Sequence, residues 1–141
     1  MRRPWQGRTM TVRRIEARGP APAQEVWDRY AVLARWPDWS PQISRVEASA
    51  DQVALGVRGT VYLVGGLPLA FTVTSCRPED RTWSWQVRLG PVTLDLEHAV
   101  FAAGSGSRST LSLAGPALVV TAYAPLAQLA LRRLCAEGRT R

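Results

Sequence analysis

Along the chain the spacing of apolar residues changes three times. Residues 9–18 (TMTVRRIEAR) are rich in β-formers and are followed by Gly19-Pro20, which predicts a first strand. Ala21-Pro22-Ala23 then opens a helix, with Pro22 suited to its first turn. Val26, Tyr30 and Leu33 fall at helical spacing, as do Trp27 and Tyr30. The helix is expected to end before Pro37, because the residue preceding a proline is pushed out of the α region. From Ile43 the period becomes two. Strands are predicted over 43–49, 58–64, 69–76, 81–89, 92–102 and 108–113, separated by Gly- and Pro-containing turns. Such a series of strands reads as an antiparallel meander. After Gly115-Pro116 a long apolar helix is predicted up to Gly138. Leu118, Ala122, Leu126, Leu129 and Leu134 can share one of its faces, and Pro125 is expected to kink or split it.

The alternation separates two faces of the sheet. One set is Leu69, Phe71, Val73, then Trp83, Trp85, Val87, Leu89, then Val92, Leu94, Leu96, His98, Val100. The opposite set is Thr72, Thr74, Thr82, Ser84, Gln86, Arg88, Thr93, Asp95 and Glu97. A sheet greasy on one side and polar on the other needs a cover for the greasy side. The long last helix is the element large enough, assisted by the first. The expected fold class is α+β: a curved antiparallel sheet of six or seven strands gripping a long C-terminal helix, with a short helical segment after the first strand.

Composition narrows the function classes. A length of 141 residues suits one domain, taken as 9–138, with basic tails at 1–8 and 139–141 expected to be disordered. No apolar run reaches the roughly 18 residues of a membrane span, and MRRPWQGRTM lacks the apolar stretch of a signal peptide, so stable membrane insertion is not expected and a cytoplasmic location is. The net charge of +7 comes from arginine alone, scattered or near the termini, which argues against a nucleic-acid surface. Cys76, Cys135 and the single histidine cannot make a zinc or iron–sulfur site, and no metal or cofactor is expected. No phosphate-binding glycine loop, nucleophile elbow or metalloprotease motif is present.

The stretch 25–41 (EVWDRYAVLARWPDWSP) concentrates Trp27, Trp36 and Trp39 around a helix that gives way to a proline-broken loop. Ala21-Pro22-Ala23-Gln24-Glu25-Val26-Trp27 and Arg35-Trp36-Pro37-Asp38-Trp39-Ser40-Pro41 resemble the helix opening and the WPxW loop of the SRPBCC superfamily. Thr72-Val73-Thr74, Trp83-Ser84-Trp85 and Glu97-His98 also look like strands of that family, which comprises START-like, helix-grip domains and the polyketide cyclase/dehydrase and lipid-transport group. The likeness covers roughly 9–137. It implies an apolar cavity between sheet and last helix, holding lipids, polyketides or other hydrophobic small molecules. The short, proline-interrupted last helix departs from many members.

Several residues are candidates for that cavity. His98, by alternation, points inward beside Leu96 and Val100, where it could act as general acid or base; the plainer reading is a neutral core histidine bonded to a carbonyl. Tyr123 on the last helix is a second catalytic candidate, able to polarise a carbonyl. Trp36, Trp39, Tyr62, Phe71, Val73, Trp83, Trp85, Leu94, Leu96, Leu118, Ala122 and Leu126 are candidate lining residues, with His98 among them. For Trp36 the alternatives are a gate at the mouth and a pin that fastens the loop to the sheet. Ser75 is a further inward polar candidate, Asp38 reads as a turn cap, and Asp95 and Glu97 should face solvent. The expected function is binding of a hydrophobic small molecule. The alternatives are a cofactor-independent cyclase or dehydratase using His98, and a protein-interaction module; a homodimer is left open.

Overall fold

A computed structural model describes residues 10–136. The two tails at 1–8 and 139–141 lie outside them. The elements run β1 (Met10–Gly19), α1 (Ala23–Ala31), a 3-10 turn (Leu33–Arg35), α2 (Trp36–Trp39), β2 (Ile43–Ala48), β3 (Arg58–Leu63), β4 (Pro68–Arg77), β5 (Thr82–Leu89), β6 (Val92–Ala103), β7 (Gly106–Pro116) and α3 (Ala117–Cys135). All seven strands form one antiparallel sheet in the order β1-β7-β6-β5-β4-β3-β2. Strands β2 to β7 follow in sequence as a meander. Only β1 departs, crossing through α1 and α2 to reach the far edge. The α+β helix-grip architecture is the one the alternation predicts.

The first helix is shorter than its spacing suggests. It stops at Ala31, and Val32 turns extended to form a bridge with Gln52. The chain then re-enters helical geometry: Trp36 is helical although Pro37 follows, and Pro37 occupies the first turn of α2. A proline there costs no hydrogen bond, since that N–H would have no helical partner. The expected single helix up to Pro37 is therefore two short ones with a break at Val32.

Helix α3 departs from expectation in two ways. Pro125 does not split it. The proline lies on the exposed face, where water can serve the carbonyl that lost its donor. The face assignment also differs. Leu118 is 86% exposed, and Ala122, Leu126 and Leu129 face outward too, so of the five residues only Leu134 is inside. The buried face is Val120, Ala124, Ala127, Ala130, Leu131 and Leu134. Nearly every residue of this helix is apolar, so hydropathy cannot pick out the face. Small side chains decide it, because they let α3 lie close on β1 and β7.

The C-terminal end of α3 is held tightly. The Ala21 N–H donates to the Cys135 carbonyl (3.1 Å). The buried Arg29 guanidinium donates to the carbonyls of Leu134 and Ala136 (2.8 Å for the latter) and pairs with Glu25 at 2.8 Å. A cation on the last carbonyls also complements the helix dipole. A Cβ on Gly19 would collide with the Cys135 carbonyl, so this approach requires glycine.

Candidate functional site

The rungs of the β5–β6 hairpin organise the interior. From the turn inwards, the register pairs Leu89 with Val92, Val87 with Leu94, Trp85 with Leu96, and Trp83 with His98, all on the inner face. The first two rungs border a cavity of about 250 Å³. The fourth borders a separate chamber of about 30 Å³. The third rung touches both, as do Ile43 and Tyr123. Among the described residues no charged side chain lines either space.

The larger cavity is aliphatic. Val61, Leu63, Leu67 and Leu69 of the β3–β4 hairpin face Val119 and Tyr123 of α3 across it. Leu67 and Leu89 are 46% and 45% exposed, so they stand at its mouth. It is hollow because α3 packs against β1 and β7, away from β3 and β4. A void of this size lined by aliphatic side chains is the kind of space an apolar ligand fills.

The small chamber is rich in aromatic rings. Trp36 is 1% exposed and stacks on Trp83 at 5.5 Å; its indole N–H donates to the Tyr30 carbonyl at 2.9 Å. The Trp39 indole donates to the Arg29 carbonyl at 3.1 Å. The WPDW segment is thus fastened from both tryptophans, and Trp36 is a pin rather than a gate. Tyr30, fully buried, sits edge-on to Trp39, Trp83 and His98 at 5.2, 5.5 and 5.2 Å.

His98 lies inside, as the alternation predicts. Its ring stacks on Trp83 at 4.1 Å and 6°. Its Nδ1 is 3.2 Å from the Trp83 carbonyl, which can only accept, so Nδ1 carries the proton. Burial holds its pKa down to about 3, against a smaller upward pull from that carbonyl. The imidazole is therefore neutral near pH 7 and a very weak base. Burial pushes the Tyr123 phenol up, opposed by the bond it accepts from Gln42 Nε2 at 2.9 Å. The Tyr30 phenol is raised further, first by burial and then by Cys135 and Tyr123.

The candidate lining residues divide. Trp85, Leu94 and Leu96 border the large cavity, while Trp36, Trp39, Trp83 and His98 border the chamber. Phe71 and Val73 are buried but line neither space; Phe71 packs against Trp36 and Trp85. Tyr62 is on the other face of β3, where its hydroxyl donates to Glu47 at 3.0 Å beneath the Arg45 guanidinium. Leu118, Ala122 and Leu126 point away from both spaces, as the close packing of α3 dictates. A bulge between Val73 and Ser75 shifts the phase of β4, placing Ser75 opposite Ser84 on the polar face and Cys76 opposite Trp83. Tyr30 and Gln42 were not singled out by spacing as site residues. The sequence placed Tyr30 only within the helical spacing of α1, and nothing local marked Gln42.

A profile of the family described as "Polyketide cyclase / dehydrase and lipid transport" matches residues 10–139. Among solved structures, "Crystal structure of Ara h 8.0201" superposes with a TM-score of 0.72 at 13% identity, covering 89% of this chain and 95% of that one. At that identity the likeness speaks for the fold alone. No curated protein matches the sequence significantly. No helix among the described residues is long and apolar enough to cross a membrane. With a family profile spanning nearly its whole length and the helix-grip fold to match, this chain belongs to the polyketide cyclase/dehydrase and lipid-transport family of the SRPBCC superfamily.

Proposed function

We propose that the chain binds a hydrophobic small molecule in the cavity between the β3–β6 strands and the N-terminal half of α3. The observation that carries this reading is the aliphatic space of about 250 Å³, flanked at its mouth by half-exposed Leu67 and Leu89. At about 30 Å³ per water-sized group, it takes on the order of eight to ten non-hydrogen atoms without rearrangement. The acid–base alternative draws no support from His98: a neutral ring with a pKa of about 3, locked between an indole face and a carbonyl, is poorly matched to proton transfer near neutrality.

Calorimetric titration with indane, a neutral hydrocarbon of the size this space takes, tests the reading. The wild-type protein is expected to show saturable one-to-one binding. Leu69→Trp, which fills the cavity from a half-buried position, is expected to weaken it at least tenfold. Absence of saturable binding, or binding that Leu69→Trp leaves unchanged, would overturn the proposal.

A further inference from the structure

Buried polar groups in folded proteins nearly always have a partner. The small chamber breaks that rule four times over. Tyr30 Oη, Gln42 Oε1, Trp83 Nε1 and Trp85 Nε1 are all buried and unpartnered among the described residues, and all four residues line this one space. The clustering is specific. Of the other buried side-chain atoms without a partner, Arg81 Nε and Ser107 Oγ belong to residues that line neither space.

The chemistry of the cluster is lopsided. An indole N–H can only donate, and a phenol can donate. Three of the four unmet groups are therefore donors. Tyr123, on the wall common to both spaces, adds another: its oxygen accepts from Gln42, which leaves its own proton free. Nothing charged is at hand among the described residues, since His98 is neutral and no arginine of theirs lines the chamber. An anion here would lose its hydration with no cation to replace it. A neutral oxygen would meet the three unmet donors, with Gln42 Oε1 the one acceptor among the four. The chamber's volume of about 30 Å³ suits one or two such atoms rather than a whole molecule.

We infer that the chamber is a socket for a neutral carbonyl oxygen, so that the ligand is a hydrophobic molecule bearing a ketone, aldehyde or ester, oriented with its carbonyl toward Trp83, Trp85 and Tyr30 and its apolar body in the larger cavity. This rests on the cavity-binding reading above and goes further by naming the head group and its orientation. Trp85 and Tyr123 border both spaces, so the proposal requires the carbonyl to enter the chamber past these residues.

Three near-isosteric probes of the size these spaces take separate the possibilities by calorimetric titration: acetophenone, isopropylbenzene and benzoate. The ketone is expected to bind at least tenfold more tightly than both the hydrocarbon and the carboxylate. Tyr30→Phe keeps the ring and its edge contacts while deleting the unmet hydroxyl; it should fold as well as the wild type and cut the ketone preference at least threefold. Trp83→Phe should cut it further. In both variants the hydrocarbon affinity should stay within about twofold. Equal affinity for ketone and hydrocarbon would sink the socket while leaving the cavity reading intact, and would mean that the chamber serves water only. A carboxylate that binds as tightly as the ketone would also refute it. Failure of all three probes to bind would overturn both readings.

Discussion

The two ends of the β5–β6 hairpin share one backbone and one alternation, yet one is packed and the other hollow. At the fourth rung Trp83 and His98 are stacked, and Trp36, Tyr30 and Trp39 close over them from α1 and α2. At the first two rungs Leu89, Val92, Val87 and Leu94 face a void, because α3 leans toward β1 and β7. The same inward, apolar pattern thus yields a rigid core at one end and a receptacle at the other. What differs is the cover. Large aromatic rings reach across the space beside the helices, whereas Val119 and Tyr123 alone reach down from the start of α3.

The sharpest way to break that comparison is to remove the aromatic plug. Trp36→Ala is expected to cost about 3–5 kcal/mol, as large truncations in packed cores do, whereas Leu94→Ala at the hollow end should cost only about 1–2 kcal/mol because its neighbours already face empty space. Urea denaturation of both variants checks this, and equal costs would mean that the two ends are packed alike.

A second consequence concerns acid. Folded His98 stays neutral down to about pH 3, whereas in the unfolded chain an ordinary histidine takes up its proton near 6.5. Between those values the unfolded state binds the extra proton. The contribution is therefore complete above about pH 6.5 and is lost as the pH falls toward 3, at roughly 2 kcal/mol between pH 7 and pH 5. His98→Phe should flatten this limb of the stability profile, measured as urea midpoints across that range. An unchanged slope would show that His98 is not the buried neutral ring described here.

The smallest effect belongs outside both regions. Leu118→Ser sits on the exposed face of α3 and should change stability by less than about 0.5 kcal/mol and leave probe binding unaltered. A loss of more than about 2 kcal/mol would put Leu118 back in the core, where helical spacing alone would have it.

Much of the fold was legible in the chain. Period-two alternation identified the inner face of β5 and β6 residue by residue, including His98, because a strand's side chains can point only two ways. The WPDWSP loop pointed to the family. The errors have physical causes too. In α3 almost every position is apolar, so no stripe stands out, and the buried face was settled by which side chains are small enough to approach β1 and β7. In β4 one extra residue at the Val73–Ser75 bulge reversed the phase, which removed Ser75 from the interior. Tyr62 belongs to a strand whose alternation was short, and its polar neighbours Arg45 and Glu47 come from another strand.

By itself, then, the sequence determined the order of strands and helices, the greasy face of the sheet, the family and the inward direction of His98. All of these follow from local periodicity and short motifs. Only the tertiary structure decided where the interior is full and where it is empty, and that His98 is a neutral partner of Trp83. It also brought Tyr30, Gln42, Trp83 and Trp85 to one small space with their polar atoms unmet. Those are properties of distances between residues far apart in the chain. Packing sets them through side-chain volume and the lean of one helix, and neither is written in any single segment.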